Sequence, residues 1–403
     1  MTDLYPKFRP INPQPASAEG QPILVLQDPL QLADKVAYIP RALAPMLALC
    51  DGSRTLNEIR ASLMIRAGLS FSAQDLERIL VQLDDALLLE NGRSAAAIQE
   101  AVDAYRQAPF RPPSLAGIGY PAEPEEIREF LDGYLKEQPA PSGRPALRGL
   151  VSPHIDYQRG GPVYAQVWSQ AAEAIRDAEL VILLGTDHNG GDGRITLTRQ
   201  NYATPYGVLP TDLELVDVLV EHIGHDAAFG EEINHRHEHS IELAATWLHH
   251  MRGGESCALL PILTGSFFHF VQGEGDPAGS AAFAAIVGEL REVLRQRAAV
   301  VVAAADLAHI GPVFDGPRVD AVGRAQLKLD DKRLIETICA GEAENFYQTI
   351  RAEGDRRNVC GLAPIYLLLR ILESSSGELL GYDRCVADAK GTSFVSICGI
   401  VLE

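Results

Sequence analysis

The sequence predicts an α/β protein: a three-layer domain on a mostly parallel sheet, preceded by a small helical module with a winged-helix pattern. Three observations carry this. From residue 148 onward, short apolar runs alternate with amphipathic stretches of helical period. The runs are near-continuous in apolar residues, as strands buried on both faces must be. The residues before them show capped helices instead.

Taken in order, "QPILVLQDP" reads as a short strand near the N-terminus. "TLNEIRASLMIRAG" follows, with Thr55 and Glu58 at capping-box spacing and Gly68 as a helix stop. "SAQDLERILVQLDDALLLENG" starts at Ser72 and carries apolar residues at 76, 79, 80, 83, 87 and 88, a helical stripe. "ALLLENG" is expected to open a β-wing. The phrases "DGSRTLNEI" and "LVQLDDALLLE" resemble the PqqD-like family, winged-helix modules that bind peptides, which implies a module over 1–105. This stretch has more Asp and Glu than Lys and Arg, so no basic face for DNA is expected. Residues 106–147 form a Pro/Gly-rich linker with one lead-in helix, "EPEEIREFLDGYLKEQ", and a loop, "PAPSGRPALRG".

Residues 148–403 make up the main domain. Strands are expected at "RGLVSP", "ELVILLG", "CALLPILTG", "AAVVVAAAD" and "TSFVSICGIVLE". Helices are expected at "YAQVWSQAAEAI", "DLELVDVLVEHI", "SIELAATWLHHM" and "AFAAIVGELREVLRQ". "GRITLTRQNYATPYGVLPTD" alternates differently and reads as an antiparallel excursion.

Composition narrows the function classes. The chain has 403 residues, 46% of them apolar, enough to bury a real core. Its net charge of −19 repels phosphate backbones and anionic lipid, so neither nucleic acid nor a membrane is an expected partner. "MTDLYPKFRPINPQP" lacks the apolar core of a signal peptide, and no stretch reaches the roughly 18 apolar residues of a membrane span. The six cysteines are scattered, as expected of reduced thiols. A cytoplasmic protein is expected.

The chemistry collects at strand ends. "GLVSP" leads to His154, "LVILLGTD" to His188, and "VVVAAADLA" to Asp306 and His309. Open α/β sheets place ligand sites at the carboxyl ends of their strands. "NHRHEHSIEL" adds Glu238 and His239 at a helix start, with Glu242 one turn on from Glu238. "NVCGLAPIYLLL" puts Cys360 just ahead of an apolar helix, where terminal N–H groups lower a thiol pKa. Two imidazoles and an anion make a facial set for a divalent metal, and His with Cys suits iron, copper or zinc. Each residue also has an ordinary alternative: a core histidine, an inert buried thiol for Cys360, an N-cap aspartate for Asp306. His235 and His237 are expected at the surface or a pocket rim. His222, His225, His249, His250 and His269 are expected to be solvated, and the other cysteines to pack.

The chain from about 111 to 403 resembles the Memo family. The blocks that carry this are "RPPSLAGIGYPAEPEEIREFLDGYL", "SPHIDYQRGG", "LLGTDHNGG", "YATPYGVLPTD", "EHSIELAATWL", "PILTG", "AADLAHIG" and "NVCGLAPIYLLL", in the family's order. The resemblance implies a fold shared with class III extradiol dioxygenases. It implies a metal, iron with copper or zinc as alternatives, held by His154, His188 and Cys360. Glu238, His239, Asp306 and His309 would line the same pocket. His309 or His239 would then serve as general base, with Asp306 fixing its tautomer. The dioxygenases carry a carboxylate where Cys360 stands, so ring cleavage itself does not follow. Where the family has Gly-Pro-Asn/Ser-His, this chain has Asp187 before His188. Bacterial relatives also imply radical-SAM and AMMECR-type partners. The expected function is a dioxygenase-like redox enzyme. The alternative is a non-catalytic copper- or iron-binding protein that docks a peptide or protein.

Overall fold

The computed structural model describes residues 5–11, 13–139, 143–144 and 147–403, so part of the expected loop after residue 138 lies outside the described residues. The chain divides into two compact units, 1–107 and 108–403.

In the first unit, β1 (Gln14–Ala18), β2 (Gln21–Leu26) and β3 (Ala37–Pro40) form an antiparallel sheet. The helices α1 (Ala44–Leu49), α2 (Leu56–Ala67), α3 (Ala73–Asp85) and α4 (Gly92–Gln107) follow. Thr55 with Glu58, and Ser72 with Asp75, close reciprocal capping boxes, and α2 stops at Gly68 with φ 66°. Ile59, Leu63, Leu76, Leu80 and Leu83 pack with Leu26 and Met46 into one core.

The expected β-wing is not formed. Leu89 makes a single antiparallel bridge to Phe8, and α4 begins three residues later. Asn91 Oδ1 accepts the backbone N–H groups of Arg93 and Ser94 at 2.9 and 3.1 Å. The Ala-rich run behind this cap favours helix over a returning strand.

The second unit opens with α5 (Pro124–Leu135), which buries Ile127 and Leu131. Then come β4 (Gly149–Ser152), α6 (Tyr157–Asp177), β5 (Leu180–Thr186), β6 (Ile195–Leu197), β7 (Tyr202–Thr204) and β8 (Gly207–Leu209). Next are α7 (Leu213–Ile223), α8 (His225–Phe229), α9 (His239–Met251), β9 (Ala258–Thr264), α10 (Phe268–Val271) and α11 (Ala281–Gln296). The chain ends with β10 (Ala299–Ala304), β11 (His309–Ile310), α12 (Ala321–Cys339), α13 (Ala343–Ala352), α14 (Leu362–Leu372), β12 (Gly377–Val386) and β13 (Phe394–Leu402).

The strand order is β11–β13–β4–β10–β5–β9–β6, with β12 along the opposite edge of β13. The central strands β4, β10, β5 and β9 are parallel. Antiparallel β13 and β6 flank them, and β7 with β8 forms a separate hairpin, the antiparallel excursion. Alternate residues of the central strands face opposite layers. Val151, Ile182 and Val301 pack with Leu290 of α11 and Ile365 of α14, whereas Leu150, Val181 and Val302 pack with Trp168 of α6 and Trp247 of α9. Among the described residues, no helix is long and apolar enough to cross a membrane.

Candidate metal centre

Three neighbouring strands end at one rim. β4, β10 and β5 are parallel, with Ala304 beside both Ser152 and Gly185. Two residues beyond each strand end stand His154, Asp306 and His188. α9 is drawn against this rim by Ser240 Oγ, which donates to Thr186 O at 2.9 Å. A β-carbon on Gly185 would meet Ser240 Oγ at 2.7 Å, so the close approach of Glu238 and His239 needs glycine there. The segment before α14 is held likewise. Gly361 N donates to Asp306 O at 3.0 Å, and Thr186 Oγ1 donates to Cys360 O at 3.2 Å.

The structure brings His154, His188 and His239 together, with one ligating atom of each within 4.8 Å of the others. Acceptors behind the rings fix their tautomers. His154 Nδ1 lies 2.9 Å from Ala304 O, and His188 Nδ1 lies 3.0 Å from Glu238 Oε2. A carbonyl or carboxylate can only accept here, so each Nδ1 carries a proton, and in the neutral ring it is Nε2 that holds the lone pair. Glu238 Oε1 lies 3.2 Å from His239 Nδ1, so one carboxylate backs two rings. Cys360 Sγ sits 3.4 Å from His154 Nε2. The His154 side chain is 3% exposed, but those of His188 and His239 are 35% and 39% exposed, so the cluster opens to solvent on one side.

The electrostatics suit a cation. Burial disfavours charge on His154, but Asp306 and Cys360 outweigh it and lift the imidazole to about 9. Burial also opposes charge on His188, and Glu238 raises it well above the ordinary value. Burial pushes the Cys360 thiol up, yet His154 and His309 overcome this and hold it well below the usual thiol range. Burial drives His239 down to about 4, against the pull of Glu238. The negative groups that hold protons on His154 and His188 equally favour a metal ion in their place, and once those protons are displaced the neutral imidazoles and the thiolate are ligands for iron, copper or zinc.

The other residues named from sequence also lie here. Asp306 Oδ1 accepts the His154 backbone N–H at 2.8 Å, and burial raises its carboxyl despite His154. His309 lies on β11, with Nδ1 3.3 Å from Leu307 O; burial lowers its imidazole, and Cys360 reverses this to a net rise. His239 therefore stands among the imidazoles of the metal group, where the sequence reading placed Cys360 as third ligand and His239 as a base. Asp187 is occupied elsewhere: it accepts from Asn189 N at 3.1 Å and Asn234 Nδ2 at 3.0 Å, and burial raises it to about 6.

His235, expected at the surface or a pocket rim, and His249 and His250, expected to be solvated, are buried. Each has found partners on both ring nitrogens. His235 accepts from Tyr202 OH at 2.6 Å and donates to Thr196 O at 3.1 Å. His249 pairs with Thr204 Oγ1 at 2.7 Å and Gly254 O at 3.0 Å, and His250 with Tyr206 OH at 2.9 Å and Asp132 Oδ1 at 3.3 Å.

Sequence reasoning missed Arg111. Its buried guanidinium donates to His235 O at 2.9 Å, to Glu238 O at 2.8 Å and to Glu242. Glu242 also accepts from Ser114 and Leu115 N–H groups and Tyr120 OH, each within 2.8 Å. Arg111 thereby fixes the turn that delivers Glu238 and His239. An Arg in a Pro-flanked stretch gives no local signal of this; its partner lies 131 residues away.

Comparison with known proteins gives the family of the chain. A MEMO1 family protein of Aquifex aeolicus is 24% identical over 403 residues, covering 99% of this chain and 100% of that protein. One from Methanopyrus kandleri is 30% identical over 286 residues, 68% of this chain and 91% of its own length. One from Thermus thermophilus is 27% identical over 350 residues, 87% of this chain and 99% of its own. The family model described as Memo-like protein matches residues 111–401, which include every strand-end residue named above, so the chain belongs to the Memo-like family.

Proposed function

We propose that the chain is a metal-dependent redox enzyme of dioxygenase-like type, using non-haem iron. The observation that carries this reading is the convergence of three imidazoles within 4.8 Å, with the Cys360 thiol 3.4 Å from one of them, at an opening to solvent. His154, His188 and His239 or Cys360 would hold the ion, which would supply electron transfer and Lewis acidity when bound. The protein's own groups have separate tasks. Glu238 orients the His188 and His239 rings. Asp306 fixes the His154 loop through the backbone N–H. His309 would hold or accept a proton at the edge of the site.

A binding protein would need only the ligands. The additional Asp306, Glu238 and His309 favour catalysis over storage. The test is anaerobic loading with ferrous iron, followed by metal analysis and oxygen-consumption assays. Stoichiometric iron in the wild type, lost in His154→Ala and His188→Ala, is expected. Absence of stoichiometric metal ends this reading, and oxygen uptake no faster than that of free iron would leave the metal-binding alternative. We further propose peptide or protein docking by the first unit, with radical-SAM and AMMECR-type partners; pull-down with the full chain tests it.

A further inference from the structure

Beside the metal centre lies a second feature, a cavity of about 340 Å³ whose lining includes His309, Phe314, Arg318, Val319, Leu327 and Asn358. Its volume is at the small end of ligand sites, enough for a single ring or a short chain. Phe314, Val319 and Leu327 give it an apolar wall. The His309 ring stands edge-on to Phe314 with centroids 5.1 Å apart, and its imidazole also neighbours the Cys360 thiol. One histidine is thus shared by the cavity and the imidazole cluster.

The charges at the cavity are unequal. Three arginines border it, but two are already neutralised. Arg357 pairs with Asp331 at 2.6 Å and Glu353 at 2.7 Å, and Arg356 with Asp330 at 3.1 Å and Glu353 at 3.3 Å. Arg318 is exposed and makes no ion pair among the described residues. The cavity therefore offers one uncompensated guanidinium above an apolar wall. A guanidinium fork matches the planar, singly charged carboxylate. A phosphate monoester carries about −1.5 to −2 charge, more than one free cation beside Asp330 can balance.

We propose that this cavity binds a small monocarboxylic acid, with Arg318 anchoring the carboxylate and the apolar body directed to the His309 edge of the metal centre. As a binding site it stands apart from the metal; its use as a substrate pocket rests on the redox reading above.

The test is titration of hydrocinnamate into full-length protein, metal-free and iron-loaded, followed by calorimetry and protein NMR. Hydrocinnamide and phenethyl phosphate are the comparison ligands. Hydrocinnamate is expected to bind, with roughly tenfold weakening in Arg318→Ala and in the amide, the effect of one charged hydrogen-bonded contact. Arg318→Lys is expected to restore part of it. Arg318 lies at the surface, so the variant should melt like the wild type and keep its metal content. The proposal is overturned if hydrocinnamate does not bind at millimolar concentration, if the amide binds equally, if Arg318→Ala changes nothing, or if the phosphate ester binds more tightly. Arg318-dependent binding in protein that takes up no metal would leave the cavity standing and remove the redox reading. Stoichiometric metal without acid binding would do the reverse.

Discussion

Glu238 holds His188 twice: Oε2 lies 3.0 Å from His188 Nδ1 and accepts the His188 backbone N–H at 3.1 Å. This single carboxylate sets the tautomer, the ring orientation and the backbone position of one metal-group residue. Carboxylates behind ligating imidazoles are typically worth about 10–100-fold in metal affinity. Glu238→Gln is expected to weaken ferrous iron binding by a factor in that range while the fold survives. Competition titration against a chelator measures it, and an unchanged dissociation constant would exclude this role.

The approach of the Cys360 segment to β10 is the second point of control. A β-carbon on Gly361 would lie 2.4 Å from Asp306 O and 2.8 Å from Ala305 Cβ, so backbone has to move. Overpacking of this kind costs about 1–3 kcal/mol. Gly361→Ala is expected to lower the melting temperature and to reduce metal affinity by shifting Cys360. A variant that melts lower but keeps full affinity would show that Cys360 does not share in metal binding.

Arg111 and Glu242 form a buried ion pair, and the guanidinium also serves the His235 and Glu238 carbonyls. Removing one member of such a pair leaves an uncompensated buried charge and costs about 3–5 kcal/mol. Arg111→Met is expected to destabilise by that order in denaturant titration and to lower metal affinity, because the turn before α9 loses its clamp. The double variant Arg111→Met with Glu242→Gln should recover part of the stability. A double variant no better than the single would refute the charge argument.

These relationships divide by how the sequence encodes them. Strands β4, β5, β9, β10 and β13 were legible because they are buried on both faces and therefore read as unbroken apolar runs. The capping box at Thr55 was legible because its partner lies three residues away. His154, His188 and Asp306 could be grouped because parallel strands align their carboxyl ends. The Arg111–Glu242 pair and the burial of His235, His249 and His250 depend on segments joined only by folding. A histidine's sequence neighbours do not say whether a tyrosine hydroxyl will reach it. The missing β-wing failed for a local reason, since Asn91 caps a helix that the apolar stripe alone did not announce.

The buried His235 gives the fold a definite pH response. Burial drives its imidazole down to about 3, whereas in an unfolded chain it titrates near ~6.5. Between those values the unfolded state binds the extra proton, so stability rises with pH there. The His235 contribution is full above ~6.5 and is lost as pH falls toward about 3. His154 runs the opposite way: its contribution is full below ~6.5 and lost as pH rises through about 9. Comparison of wild type with His235→Gln isolates the first effect. The variant is expected to melt lower at neutral pH and to lose less on acidification. Parallel melting curves for the two proteins across that range would rule it out.

The remaining choice is which donors reach the ion. Three imidazole nitrogens lie within 4.8 Å of one another, and Cys360 Sγ is 3.4 Å from His154 Nε2. Without an ion the His154 proton is held against the Cys360 thiolate; an ion between them removes the need for that proton. Binding should therefore release protons and tighten as pH rises through about 9, where His154 titrates. X-ray absorption of the iron-loaded protein is expected to show a nitrogen shell and one sulfur scatterer at a longer distance. Cys360→Ser should remove the sulfur shell and leave the nitrogen shell. His239→Ala should remove one nitrogen and, by freeing Glu238 from one ring, alter the pH dependence of uptake. A wild-type spectrum without sulfur, together with loss of metal in His239→Ala, would assign the site to three imidazoles and leave Cys360 as a neighbouring thiolate.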